Sequence, residues 1–315
     1  MTGICDPEVH KTQQRSVEFT TAGGFLYWIN DAFEVHLRKG AIFTDTNSVT
    51  KVEIGVQNPH SLTTDGNDVY FLGNSVSSTA EIHKLNTDAK TSQLVLGDIS
   101  TTDTDNLKVS GGVYFWTGRS GSVAALYYAP NANQRIMLVK GSITEYLVRN
   151  STAYYFLDGL LYSIDAPSTY SASDPPKPIA ITEVAQQNNP RHLTMTENRI
   201  IWYSDSENSP TPAAAGARML TVQDNGQHEY NNMLFSLNSP TKMLADLDFL
   251  YVVESGTIVG GYSYTEKVLH NLGSVGVASN ALAITPAGLQ DRYVYWADNT
   301  TTGPSILRAP VFLKP

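Results

Sequence analysis

The chain has 315 residues, of which 41% are hydrophobic and 16% are charged, and its formal net charge is −9. A surface that binds nucleic acid or an anionic membrane needs a basic footprint. The longest Lys/Arg cluster here is Arg38-Lys39, and no apolar run approaches the roughly 20 residues of a membrane-spanning helix. We therefore predict that neither nucleic acid nor a membrane is a partner.

A short aromatic segment recurs seven times along the chain. Its copies are Phe25–Asn30, Asp68–Gly73, Gly112–Thr117, Ala153–Asp158, Arg199–Ser204, Phe249–Glu254 and Tyr293–Asp298. Their third residues fall at positions 27, 70, 114, 155, 201, 251 and 295, which are 41 to 50 residues apart. A period of this length with several short strands per repeat is typical of β-propeller blades. We predict an all-β fold: one β-propeller domain over residues 1–315 with seven four-stranded blades, with six or eight blades as alternatives.

The second repeat shows the four predicted strands most clearly. They are His60–Asp65 (inner), Val69–Leu72, Ala80–Leu85 and Ser92–Leu96 (outer). The third of them alternates polar and apolar residues, as a half-exposed strand does. Two segments rich in Pro, Ser or Ala, Asp174–Pro178 and Ser206–Gly216, are predicted to be surface loops.

The last repeat lacks a fourth strand, because the chain ends soon after Ser305–Val311. An unclosed blade would leave an open sheet edge. We predict that the N-terminal segment, roughly Ile4–Lys11, closes the last blade.

Two of the aromatic segments contain a characteristic tetrad. Tyr295-Trp-Ala-Asp298 and Tyr27-Trp-Ile-Asn30 resemble the repeat of YWTD-type propellers. The resemblance implies the fold and carries no function by itself.

The first residues of the inner strands are expected to surround the mouth of a central channel. Alignment on the first apolar inner-strand residue places Glu18, Ser61, Asn106, Tyr146, His192, Lys242 and Ala281 there. The preceding positions are Val17, His60, Asp105, Glu145, Arg191, Thr241 and Asn280. Because these residues differ from blade to blade, they favour one asymmetric pocket over a sugar site repeated in every blade.

Several of these side chains suit polar catalysis on a small molecule. We predict that His192, Arg191, Tyr146 and Lys242 polarise a carbonyl group and that Glu145 or His60 transfers a proton. Glu18, Asp105, Asn106 and Asn280 are predicted ligand contacts, as are Trp116 and Arg119 of the loop at 116–121. The alternatives are that the ring residues pair with their neighbours and that Trp116 packs in the core.

The sequence contains no motif for a nucleotide, a phosphate loop, zinc or a serine nucleophile, so no cofactor is expected. Calcium is the metal to consider, because Glu18, Asp105, Asn106 and Asn280 resemble the channel ligands of six-bladed lactonase-type propellers. However, that family's Glu-Gly-Pro start and Asn-Asp-Gly segment are missing here.

Three functions remain open. The first is a cofactor-independent cyclase, lyase or pericyclase, such as a cycloaddition catalyst, that acts on a largely apolar substrate. The second is a lectin-like or protein-interaction propeller, and the third is a calcium-dependent hydrolase.

Two further features bear on the compartment without deciding it. Cys5 is the single cysteine, so the fold uses no intrachain disulfide. Two N-glycosylation sequons begin at Asn150 and Asn299. The sequence leaves secreted and cytoplasmic locations equally open.

Overall fold

The computed structural model describes residues 7–39, 48–167, 169–171, 173–208, 214–223, 227–237, 239–254, 258–274, 281–285, 292–299 and 303–311. These residues form β-strands, turns and connecting segments. No helix in this part of the chain could cross a membrane.

The described strands form seven four-stranded sheets, which we number as blades along the chain. The first strand is β1 (Glu8–Lys11). Blade 1 contains β2 (Ser16–Ala22), β3 (Phe25–Asn30), β4 (Val35–Lys39) and β5 (Val49–Val52). Blade 2 contains β6 (Gln57–Asp65), β7 (Asp68–Asn74), β8 (Ala80–Asn86) and β9 (Thr91–Ile99). Blade 3 contains β10 (Thr102–Ser110), β11 (Val113–Ser120), β12 (Val123–Ala129) and β13 (Ile136–Lys140).

The remaining blades repeat this order. Blade 4 contains β14 (Tyr146–Arg149), β15 (Thr152–Leu157), β16 (Leu160–Asp165) and β17 (Ile179–Ala180). A separate ribbon pairs β18 (Gln186–Asn188) with β21 (Ser206–Asn208). Blade 5 contains β19 (Arg191–Met195), β20 (Arg199–Ser204), β22 (Gly216–Val222) and β23 (His228–Ser236). Blade 6 contains β24 (Pro240–Ala245), β25 (Phe249–Glu254), β26 (Ile258–Ser263) and β27 (Leu269–Ser274). Blade 7 contains β28 (Leu282–Ile284), β29 (Tyr293–Asp298), β30 (Ser305–Pro310) and β1.

This antiparallel arrangement is a seven-bladed β-propeller, as the sequence predicted. The seven aromatic segments are the second strands β3, β7, β11, β15, β20, β25 and β29. Their side chains are largely buried on both faces. Blade 3, for example, packs against blade 2 on one face and against blade 4 on the other. This explains why the segments read as continuous apolar runs rather than as alternating strands.

The chain divides into two compact units. The first unit contains residues 1–32, 36–50 and 183–315, and the second contains residues 33–35 and 51–182. Blades 2, 3 and 4 thus lie in the second unit.

Tight hairpins join the inner strands to the second strands. Gly23 and Gly24 turn with φ of 55° and 79°, and Gly111 and Gly112 turn with 58° and 77°. Left-handed conformation at both central residues gives a turn whose twist matches that of the flanking strands. Glycine adopts this conformation without a steric penalty.

The N-terminal strand closes blade 7. In the antiparallel register, Glu8 lies opposite Arg308 and Lys11 lies opposite Ser305. The Arg308 Nη2 atom is 2.9 Å from the Glu8 Oε2 atom, and the guanidinium carbon lies 3.9 Å from the centre of the Tyr293 ring. The predicted closure is therefore confirmed over Glu8–Lys11, whereas residues 4–6 lie outside the described part.

Within each unit, apolar clusters lie between consecutive blades. Leu72 and Ile82 of blade 2 pack with Leu107 and Trp116 of blade 3. Phe115 of blade 3 belongs to a second cluster, shared with blade 4. The core is therefore a series of layers between sheets.

One predicted loop contains a strand. Ser206–Asn208 of the segment 206–216 forms β21 and pairs with Gln186–Asn188. The polar side chains of this segment favoured the prediction of a loop. In the ribbon, however, Glu207 of β21 and its partner Gln187 of β18 are both buried. Residues 209–213 lie outside the described part.

Candidate functional site

Inner strands of the second unit contain bulges at the positions predicted for the site. The register of β6 against β7 shifts between His60 and Thr63, and that of β10 against β11 shifts between Asp105 and Lys108. Ser61 and Asn106 lie within these shifts, each with φ of 55°. A bulge redirects a side chain, and a non-glycine residue in the left-handed region stores backbone strain.

A serine and an aspartate join the two bulges. The Ser61 hydroxyl donates a hydrogen bond to the Asp105 carboxylate. The Ser61 hydroxyl oxygen also accepts a hydrogen bond from the backbone N–H of Asn106 at 2.9 Å. Blades 2 and 3 are therefore connected through the residues predicted to surround the mouth.

Tyr146 extends this connection to blade 4. Its hydroxyl donates to the carbonyl oxygen of Asn106 at 2.5 Å, and the Asn106 amide donates to the carbonyl oxygen of Thr144 at 2.9 Å. Burial, and secondarily the negative charge of Asp105, raise the pKa of the Tyr146 hydroxyl well above its usual value. Tyr146 is thus a protonated donor that holds β14 against β10.

Both ring nitrogens of His60 face backbone carbonyl oxygens. Nδ1 is 2.8 Å from the oxygen of Asn58, and Nε2 is 2.9 Å from the oxygen of Thr104. In this arrangement the imidazole links β6 to β10. Neither nitrogen is directed toward open space, and the proton-transfer role of His60 stays a prediction.

A cleft of about 200 Å³ lies at one end of blade 3. Its polar lining residues are Asp103, Thr117, Arg119 and Ser142, and its apolar lining residues are Ala124, Ala125 and Ile143. The Thr117 hydroxyl donates to the Asp105 carbonyl oxygen at 3.2 Å. The cleft therefore adjoins the bulge cluster of Ser61, Asp105 and Asn106.

Arg119 is the cationic group of the cleft. Its Nη1 atom is 4.0 Å from the Asp103 Oδ2 atom, and the two side chains are 49% and 75% exposed. An ion pair at this distance in water contributes little, so the guanidinium can exchange Asp103 for a ligand oxygen. A guanidinium presents its N–H donors in a planar fork that matches a carboxylate.

Two glycines shape the cleft wall. A Cβ atom on Gly118 would lie 2.8 Å from the Thr101 Oγ1 atom. Gly141 has φ of 146°, and a Cβ atom there would lie 2.6 Å from the Leu157 Cδ1 atom. These positions accept no larger residue without movement of the wall.

Arg191 of the first unit is engaged with neighbouring side chains. The Arg191 Nη1 atom is 3.0 Å from the Asp205 Oδ1 atom, and the guanidinium carbon lies 4.5 Å from the centre of the Tyr203 ring. A hydrogen bond from the Asn189 amide, and then the charge of Arg191, hold the pKa of Asp205 below its usual value. Arg191 is thus engaged at the base of the β18–β21 ribbon.

The other predicted residues have varied environments. Lys242 and Glu18 are partly exposed on inner strands β24 and β2, Glu145 is partly exposed just before β14, and His192 is a bulge residue with φ of 58°. The loop predicted at 116–121 is wrong, because β11 continues to Ser120. Trp116 is 1% exposed and stacks on Tyr127, so it packs in the core rather than covering the mouth. Asn280 lies outside the described residues.

Sequence reasoning missed a buried polar cluster in the first unit. The Tyr230 hydroxyl donates to the Glu207 carboxylate, and the Arg218 Nε atom donates to the Gln187 Oε1 atom at 2.8 Å. Burial, and then the hydrogen bond to Glu207, raise the pKa of Tyr230. The repeat of the aromatic segments does not predict this cluster, because Gln187, Glu207 and Arg218 are isolated polar residues within strands.

No group of three or more His, Cys, Asp or Glu side chains in the described part of the chain could hold a metal ion. Of the four residues considered for calcium, Asp105 and Asn106 are engaged in the bulge cluster. The calcium hypothesis stays a prediction.

No protein-family model matches the chain, and no curated protein matches its sequence. The likeness to YWTD-type repeats therefore stays a resemblance of two tetrads. Solved structures are similar over nearly the whole chain. An oligogalacturonate lyase in complex with manganese has a TM-score of 0.66 at 8% identity, with 98% of this chain and 97% of that chain covered. The virginiamycin B lyase of Staphylococcus aureus has a TM-score of 0.60 at 7% identity, with 97% and 99% covered.

The β-propeller domain of the Trilobed protease from Pyrococcus furiosus is also similar. Its TM-score is 0.60 at 9% identity, with 96% of this chain and all of that chain covered. At such low identities these likenesses show the fold alone.

Proposed function

We propose that this β-propeller binds a small molecule in the Arg119 cleft and is a cofactor-independent enzyme of the lyase, cyclase or pericyclase type. The observation that carries the proposal is the composition of the cleft. A guanidinium, an exposed carboxylate and two hydroxyl groups share one concave site with three apolar side chains. A few convergent polar groups beside an apolar wall are typical of small-molecule sites.

The substrate that fits this lining has a carboxylate or carbonyl group and a small apolar portion. Arg119 would bind the oxygen and stabilise the negative charge that develops on it. Thr117 and Ser142 would orient the substrate. The apolar portion would contact Ala124, Ala125 and Ile143.

Asp103 is the candidate proton acceptor. In an elimination, its carboxylate would take a proton from the carbon next to the carbonyl. The electrons of that C–H bond would form the new double bond, and the leaving group would depart with its bonding pair. A cycloaddition would need Arg119 alone, because polarisation of an enone lowers its barrier without proton transfer.

Two similar solved structures are lyases by their descriptions. This agrees with the proposed reaction class. The proposal nevertheless rests on the cleft residues, since the likeness extends to the fold alone.

A protein-interaction propeller is the second candidate. Leu94, Met137 and Ile179 are exposed on β9, β13 and β17, the outer strands of three consecutive blades. These exposed apolar side chains favour a binding role. However, Phe33 is the one exposed aromatic residue among those that the structure describes, whereas binding surfaces are enriched in aromatic anchors.

Thermal unfolding with ligand panels tests the proposal. We expect small carboxylates or enones to raise the melting temperature of the wild type, and corresponding saturated alcohols to have no effect. The variant Arg119→Gln should lose this response. Arg15→Gln is the matched control, because Arg15 is an exposed arginine outside the cleft.

An equal response in Arg119→Gln and the wild type would contradict the proposed site. No response to any compound would favour the interaction propeller. A rise with calcium that a chelator reverses would favour the hydrolase.

A further inference from the structure

The two glycosylation sequons differ in their structural settings. Asn150 begins the sequon Asn150-Ser151-Thr152, and Asn299 begins the sequon Asn299-Thr300-Thr301. An acceptor asparagine must carry a bulky, hydrated oligosaccharide, so its side chain must reach solvent. The folded structure therefore distinguishes between the two.

Asn150 lies at the tip of the hairpin that joins β14 to β15. Asn150 and Ser151 have φ of 48° and 66°, and both flanking strands are paired in register from Tyr146 with Tyr155 to Arg149 with Thr152. Left-handed conformation at both central residues gives a tight two-residue turn. Asn150 is exposed in this turn.

Asn299 follows β29 and is 8% exposed. Its Nδ2 atom donates a hydrogen bond to the carbonyl oxygen of Ser16 at 3.3 Å in a buried position. A sugar on this nitrogen would have to fit where the side chain is almost fully buried and its amide donates to the backbone. The folded structure therefore disfavours a glycan at Asn299.

We propose that Asn150 is an acceptor site for an N-linked glycan and that Asn299 is not. The co-reactant is a lipid-linked oligosaccharide diphosphate. In the transfer, the amide nitrogen of Asn150 forms a bond to the first sugar carbon and loses one proton. The bond from that carbon to the diphosphate oxygen breaks, and the lipid diphosphate leaves with the electron pair.

Secretion of the full chain from yeast, behind a cleavable signal sequence, tests this proposal. Folded protein should carry one glycan that a peptide-N-glycosidase removes. Peptide mapping after enzymatic release in H₂¹⁸O should convert Asn150 to labelled aspartate and leave Asn299 unchanged. Translation into microsomes gives the same information if the secreted yield is low.

Hydroxyl variants separate the sites without changing either asparagine. Thr152→Val should abolish the glycan, and Thr152→Ser, which keeps a sequon, should retain it. Thr301→Ala should leave the glycan unchanged, because it removes the sequon of the buried asparagine. An unmodified wild type, or a glycan that disappears in Thr301→Ala, would overturn the assignment.

Discussion

The hydroxyl of Ser61 donates a hydrogen bond to the carboxylate of Asp105, and through it the bulge of one inner strand is fixed to the bulge of the next. The same hydroxyl oxygen accepts a hydrogen bond from the backbone N–H of Asn106. A single small side chain thus orients two residues at the predicted mouth. Loss of the Ser61 hydroxyl should lower the stability of the fold and change the geometry of the adjoining cleft.

Replacement of Ser61 by alanine should lower the free energy of unfolding by about 1–2 kcal/mol, because a charge-assisted hydrogen bond is lost and the Asn106 N–H keeps only the Asp105 carboxylate as its acceptor. Ser61→Gly should cost about 1 kcal/mol less than Ser61→Ala, since glycine tolerates the left-handed conformation. Urea unfolding measures both. Ser77→Ala in an exposed hairpin is the control, and an equal cost for Ser77→Ala would contradict the role of Ser61.

Two buried tyrosines differ in whether their hydroxyl groups have a partner. The Tyr146 hydroxyl donates to Asn106, whereas that of Tyr155 has no partner among the described residues. Tyr146→Phe should therefore destabilise the fold by about 1–2 kcal/mol. Tyr155→Phe should be neutral or stabilising, because an unpaired buried hydroxyl is removed. A larger loss for Tyr155→Phe would indicate a bound water at that hydroxyl.

His10 of the closing strand should make stability depend on pH. Burial, and secondarily the charge of Arg38, lower the pKa of His10 to about 4, whereas the unfolded value is about 6.5. The folded state therefore prefers the neutral ring. The contribution of His10 to the free energy of unfolding is constant above pH 6.5. As the pH decreases from 6.5 to 4, the free energy of unfolding falls by up to about 3 kcal/mol.

Unfolding at pH 7.5 and at pH 4.5 checks this expectation. His10→Gln should lose less stability between these two pH values than the wild type does. Equal pH dependence in wild type and His10→Gln would show that other groups control acid stability.

Gly118 should be intolerant of a side chain. Gly118→Ala would place a Cβ atom 2.8 Å from the Thr101 hydroxyl oxygen and should cost about 1–3 kcal/mol. It should also weaken any ligand response of the cleft. Gly97→Ala is the control, because its Cβ atom would lie 3.6 Å from Leu94, an ordinary contact. Thermal unfolding with and without ligand measures both effects.

Local sequence determined the blades of this protein. The aromatic segment of each repeat fills a second strand such as β3 or β29, and Gly23-Gly24 fixes a hairpin, because these preferences act over a few residues. The missing strand of the last repeat predicted the closure by β1, since an open edge is unfavourable.

Tertiary structure decided which predicted residues meet. Asp105, Asn106 and Tyr146 come together, and Arg119 lines a cleft with Asp103 and Ser142, which no repeat pattern singled out. Trp116 and Arg119 both lie in β11, yet Trp116 is in the core and Arg119 is exposed. Trp116 packs between blades 2 and 3, whereas Arg119 lies one residue before the end of the strand. Local propensity is read from a few consecutive residues, whereas bulges, clefts and partners depend on contacts between strands that are distant in sequence.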